Sequence, residues 1–427
     1  MVPRVSPASV AMRATVVLTV IAALAGCGTS LRSSSVARAS DAPGLSALDD
    51  GNGCAATVID TLGLIAVRVY KEGVESERTA SARALIAASL PLREAVESDD
   101  ARAARTAARA LLATGHMTNL KVMRDGHVLA NVGAPHALAP LSGTITGAAL
   151  TPIATYVASV WADSGFFAEA RGLAEGSVAV RAGGRNIAGS AALPRGELPA
   201  EGSFTEQHVG FRYTSFPATE FPTGRPLRVY MIRSLASTAP LCGQTQQDTL
   251  VNTLSRVANN IYADERGGRA VSEQVHRVQH DSALLRAVAA REPIATTAAI
   301  DTLLNEHIVR LRVLVDGQLL SDVGGPYVLA PVTAPLRLGG RTIGTFVLSV
   351  QDDEGYRRLT ERLAGLDVLM YAGPTLVKND LGAEPGTVPA SGSYHYHGRT
   401  FRVYTLHAEA FPSGPLKIDV LIPIPYS

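Results

Sequence analysis

Residues 116–140 align with residues 307–331 without a gap, and about half of the positions are identical. The match continues in the same order along the chain. Ser159-Val160, Asp163 and Gly165-Phe166 recur as Ser349-Val350, Asp353 and Gly355-Tyr356. Phe211-Arg212 and Phe221-Pro222-Thr223-Gly224 recur as Phe401-Arg402 and Phe411-Pro412-Ser413-Gly414, and Cys54 with Asp60-Thr61-Leu62 as Cys242 with Asp248-Thr249-Leu250. Nearly constant spacing over such a length means that a whole domain has been duplicated. The first copy spans 54–238 and the second 240–427. The seam, Ala236-Ser237-Thr238-Ala239-Pro240, has the composition of a linker.

Each copy begins with a helical period and ends with an alternating one. Val58, Leu62, Ile65 and Val69 share a helix face, as do Leu250, Leu254, Val257 and Ile261, and again Val271, Val275 and Val278. Further helices are predicted over 101–112 and 297–304, the first preceded by Asp99-Asp100, carboxylates suited to a helix N-terminus. Leu311, Val313 and Val315 then alternate up to Asp316-Gly317, a hairpin signal because glycine tolerates positive φ. Residues 324–341, rich in Gly and Pro, are expected to be irregular. Strands are predicted over 342–350, 367–371, 398–406 and 416–422. The fold class is α+β, with helices followed in each copy by one antiparallel sheet of five or six strands, covered on one face.

The first 26 residues read as an export signal. Arg4 and Arg13 precede an apolar run from Ala14 to Ala25, far short of the roughly 20 residues that cross a bilayer. Leu24-Ala25-Gly26-Cys27 resembles a bacterial lipobox, which implies that Cys27 carries the lipid anchor. Residues 27–53, Ser/Ala-rich and without apolar period, read as a flexible tether. The protein is then expected on the extracytoplasmic face of the cell membrane. A formal net charge of +1, with scattered cations, argues against a nucleic-acid partner. With Cys27 lipidated, Cys54 and Cys242 remain as a candidate disulfide in an oxidising compartment.

A long helix, a strand-Asp-Gly-strand hairpin, an irregular segment and then Gly340-Arg341-Thr342-Ile343-Gly344-Thr345-Phe346-Val347-Leu348-Ser349-Val350 with Asp352-Asp353 resemble a single-module Cache domain, an extracellular PAS-like sensor. The resemblance covers both copies. It implies sensing of a small extracellular solute. Cache domains usually sit in membrane kinases, chemoreceptors or cyclases, and no output module is present here, so a separate partner such as a membrane sensor kinase is expected.

The resemblance also directs attention to the sheet face away from the helix. Strand parity puts Arg402, Tyr404 and Leu406 on one face and Phe401, Val403 and Thr405 on the other. Arg402 with Tyr404 can hold a carboxylate, the guanidinium donating two hydrogen bonds, and Tyr327 and Tyr371 are placed to close over it. Arg212 is the counterpart in the first copy, next to Thr214 rather than a tyrosine. His395 and His397, with His407 nearby, have strand spacing for a metal, but no acidic or cysteine partner is suitably spaced, and a solvated hairpin tip is favoured. His116 and His307 end a helix, and Asp352-Asp353-Glu354 reads as a solvated loop. No cofactor and no catalytic constellation is evident. The competing readings are a structural or interaction protein with filled pockets, and a metal-dependent enzyme using His395 and His397.

Overall fold

The computed structural model describes residues 53–189, 193–304, 308–412 and 414–426, so Cys27, most of the expected tether, and His307 lie outside the described residues. The first repeat opens with α1 (Cys54–Glu75), α2 (Glu77–Ala88), α3 (Leu90–Glu97) and α4 (Ala101–Ala113). Next come β1 (Asn119–Arg124), β2 (His127–Gly133), β3 (Ala137–Leu138), β4 (Leu141–Thr146), β5 (Pro152–Ser159) and β6 (Trp161–Ala162). A second half follows with α5 (Asp163–Ala174), β7 (Ser177–Ala182), β8 (Arg185–Gly189), β9 (Glu201–Glu206), β10 (Val209–Thr219), β11 (Pro226–Ser234) and α6 (Leu235–Thr238).

The second repeat retraces this order. Its helices are α7 (Gln246–Gly267), α8 (Arg269–His280), α9 (Ser282–Ala290) and α10 (Pro293–Leu304). Its strands begin with β12 (Arg310–Val315), β13 (Gln318–Gly324), β14 (Val328–Leu329), β15 (Val332–Leu338), β16 (Arg341–Ser349) and β17 (Gln351–Asp352). After α11 (Asp353–Leu359) come β18 (Asp367–Ala372), β19 (Thr375–Asn379), β20 (Ser391–Tyr396), β21 (Arg399–Phe411) and β22 (Gly414–Ile424).

The α+β class holds, but each repeat carries two large sheets rather than one. In the first repeat the strand orders are β2-β1-β5-β4 and β8-β7-β11-β10-β9. In the second they are β13-β12-β16-β15 and β17-β14-β21-β22-β18-β19, with β20 beside β21. The break between sheets is made by α5 and α11. Asp352 starts α11 by accepting a hydrogen bond from the Gly355 N–H at 2.7 Å, so the Asp-Asp-Glu run is a helix start, not a loop. Gly365 ends the following π turn in the left-handed region, φ +64. Residues 324–341 are also more regular than expected: β15 pairs along its length with β16. At each break a buried serine, Ser159 or Ser349, donates to the carbonyl of Leu138 or Leu329.

The two repeats share one central core. The long helix α1 lies on β10 and β11, and α7 on β21 and β22, with α1 and α7 side by side. Each long helix also touches the other repeat: α1 meets the π turn 360–364, and α7 meets α5. Leu62, Ile65, Ala66 and Val69 of α1 join Leu254, Val257, Ala258 and Ile261 of α7 in this apolar layer. The smaller sheets pack on their own short helices in separate cores around Leu120 and Val122, and around Leu311 and Val313.

Cys54 and Cys242 form a disulfide, with Cα atoms 5.6 Å apart. They are not equivalent within the helices, however. Cys54 is the first residue of α1, whereas Cys242 lies four residues ahead of α7. The structural match is Leu62 with Leu254 and Tyr70 with Tyr262. Tyr70 Oη accepts from the Thr219 N–H at 2.9 Å, and Tyr262 Oη from the Glu409 N–H at 3.1 Å. The Asp-Thr-Leu match therefore sits one helical turn out of register. Among the described residues no helix is long and apolar enough to cross a membrane.

Candidate functional site

The hairpin β12–β13 buries Leu311, Val313 and Val315 on its helix side, so strand alternation turns Arg310 and Arg312 to the opposite face. Arg312 lies across from Val347, which lies across from Thr333, making a row over three strands. This row forms the floor of an open cleft of about 630 Å³ between the two sheets of the second repeat. Glu409 and Phe411 from β21 supply one wall, and Arg266 from the last turn of α7 another. Clefts between packed units are the usual location of small-molecule sites.

The arginines are held in place by Asp322. Its carboxylate accepts from Arg310 Nε at 2.8 Å and from Arg312 Nε at 3.0 Å, with further contacts to both guanidinium ends. Burial opposes ionisation of Asp322, but hydrogen bonds and charge from Arg310 and Arg312 outweigh it and hold its pKa below the usual carboxylate range. Both guanidinium groups stand over the Phe411 ring, 5.3 and 5.0 Å from its centroid. One carboxylate thus serves two cations, and Arg312 keeps Nη1 uncommitted among the described residues. Arg266 is exposed and has no ion pair or hydrogen bond to a described residue. The cleft therefore has an excess of donors suited to an anion, with Glu409 exposed on the rim.

The first repeat lacks this chemistry. Asn119, Lys121 and Asn131 stand where the second has Arg310, Arg312 and Asp322, and Val74 matches Arg266 in the helix register. Asn119 spends its amide on the Ala134 carbonyl at 2.7 Å.

The residues singled out from the sequence do not converge. Arg402 and Tyr404 do share a face, but it is the one covered by α7. Arg402 pairs with Asp248 at 3.2 Å, and Tyr404 Oη accepts from Asn259 Nδ2 at 2.8 Å. Burial and then Glu201 raise the pKa of Asp60 on α1, and Arg212 opposes them less strongly. Tyr371 lies on the opposite face of the sheet, under Lys417 at 4.4 Å. Tyr327 precedes β14 with φ +50, in a different place again. His395 hydrogen-bonds Thr400 at 3.1 Å, while His397 turns the β20–β21 hairpin at φ +46, so the two do not share a strand face. His116 is exposed. No group of three or more His, Cys, Asp or Glu side chains is arranged for a metal among the described residues.

No family model and no curated protein matches the chain. Among solved structures, an extracellular ligand binding receptor from Desulfohalobium retbaense DSM5692 is similar at 11% identity and a TM-score of 0.25. That likeness covers 53% of this chain and 47% of the receptor, so the chain spans about half the receptor's length. A methyl-accepting chemotaxis protein X is similar over 87% of this chain and 96% of its own, at 12% identity and a TM-score of 0.12. At these TM-scores neither likeness carries a functional argument.

Proposed function

We propose that this is an extracytoplasmic lipoprotein that binds a small anionic solute in the cleft of its second repeat and presents that state to a separate membrane partner, such as a sensor kinase. The observation that carries the reading is the donor excess around Arg312 and Arg266, in a cleft between two sheets, where one carboxylate is shared by two arginines. The resemblance of the repeats to extracellular Cache sensors, and the lipobox at Cys27, agree with it. Binding rather than catalysis is proposed. Titration calorimetry of the full chain with small carboxylates and phosphates tests it. A binder is expected, weakened tenfold or more, about 1.4 kcal/mol, by Arg312→Met. A broad panel without a binder, or a binder indifferent to Arg312→Met and Arg266→Met, sinks the reading. Palmitate labelling that persists in Cys27→Ala removes the anchor from it.

A second reading is favoured by one feature. The outer face of the second repeat's larger sheet is packed with Leu369, Tyr394, Phe401, Val403 and Leu421. A pocket filled by its own side chains is what a purely structural or interaction protein would show, and such a protein would ignore the whole solute panel.

A further inference from the structure

On the outer face of the first repeat's larger sheet, Arg181 of β7 stands directly opposite Arg228 of β11. Like charges at directly paired positions repel, and a cation out of water is costly without a counter-ion. Arg181 is 4% exposed. Its guanidinium makes one hydrogen bond, to the Gly184 carbonyl, and its Nε and Nη1 are buried without a partner. Arg228 reaches only Ser215, at 3.0 Å and 3.1 Å to the hydroxyl. Among the described residues no carboxylate pairs with either arginine. Both line an open cleft of about 350 Å³, with Tyr230 beside them and Glu197 exposed at its rim.

The second repeat shows how the same place is completed when the chain supplies the anion itself. Tyr371, the fifth residue of β18 as Arg181 is of β7, stands opposite Lys417. Two residues on, Asp419 occupies the position of Tyr230. It is fully buried, 2.7 Å from Lys417 Nζ, and accepts from Thr405 Oγ1 at 2.6 Å. Thr405 faces Asp419 across the strands as Ser215 faces Tyr230. One repeat therefore has one cation and its own buried carboxylate, and the other has two cations and a phenol.

We infer that Arg181 and Arg228 form a binding site in the first repeat for a small oxyanion, a carboxylate or a phosphate, which takes the place that Asp419 fills in the second. Two guanidinium groups facing each other across a strand pair offer donors to both sides of such a group. The site is separate from the cleft at Arg312 and does not depend on it.

Thermal unfolding of the full chain carrying Arg312→Met, in which the other cleft is disarmed, tests the site in acetate, in inorganic phosphate and in chloride at matched ionic strength. A saturable rise in midpoint of a few degrees is expected with acetate or phosphate over chloride, and the more effective anion identifies the ligand class. In the same background Tyr230→Asp places a carboxylate where Asp419 sits and should abolish the rise while leaving the protein folded. Arg181→Met should abolish it too. If Arg181→Met does not fold, Tyr230→Asp decides alone. No anion-specific rise in the Arg312→Met chain overturns the site, as does a rise there that survives Tyr230→Asp.

Discussion

Near the C-terminal end of its long helix the first repeat seats Trp161 on Gly73, whereas the second sets Gln351 beside Glu265. In the first, a Cβ added to Gly73 would lie 2.5 Å from the indole and 2.7 Å from Ala139, and the indole N–H donates to the Val69 carbonyl at 3.1 Å. In the second, Gln351 Nε2 donates to Glu265 at 3.2 Å. One joint is an apolar seal with no room for a side chain. The other is a half-buried acid whose pKa is pushed to about 7, first by burial, then by Asp264 and by Glu169 from the other repeat, against the Gln351 hydrogen bond. Duplicated frames can thus hold the same backbone joint with opposite chemistry, an indole seal in one and a titratable acid in the other.

The sharpest way to break this contrast is to write the second joint into the first. Gly73→Glu forces a charged side chain into the indole and should cost about 3 kcal/mol or more in urea unfolding. Adding Trp161→Gln should recover part of the loss; a strictly additive double variant would show that the joints are not interchangeable units. Next in size, replacing Cys54 and Cys242 together by serine should cost about 2–4 kcal/mol, since the bond closes a long loop in the unfolded chain. An unchanged unfolding midpoint in the serine variant would mean the shared core alone holds the long helices together. The smallest effect concerns Glu265. Its folded-state pKa lies above its ordinary value of 4.5, so the fold is favoured while it is protonated. Its contribution is full below about 4.5 and is lost as pH rises to about 7. Glu265→Gln should flatten that slope and stabilise the protein at pH 8 by about 1–2 kcal/mol, with little change at pH 4.5. A wild-type stability curve with no fall across that window would place the acid in solvent.

Local signals in the sequence carried further than signals that depend on what packs against them. The Asp-Gly turns are present, with φ of +50 and +75 at Asp316 and Gly317. Asp100 caps α4, accepting from the N–H groups of Arg102 and Ala103. Strand parity sorted β21 as the structure does, with Leu406 in the central core and Phe401 in the outer cluster. Parity does not say which face the helix covers, so it points Arg402 and Tyr404 toward a cavity although they face α7. The cleft at Arg312 was hidden for a different reason. Counting outward from Asp316-Gly317 puts Arg312 opposite Ser321, but a bulge between Val313 and Leu314 shifts the pairing and brings it opposite Asp322. The unpaired arginines of β7 and β11 come together only through strand order, because β7 and β11 are far apart in the chain.

The central core bears on how the molecule can be divided. The facing sides of the two long helices are buried against each other and against the opposite repeat. Cutting the chain at the seam would expose those apolar positions to water, so each half on its own is expected to lose stability or to self-associate through that face.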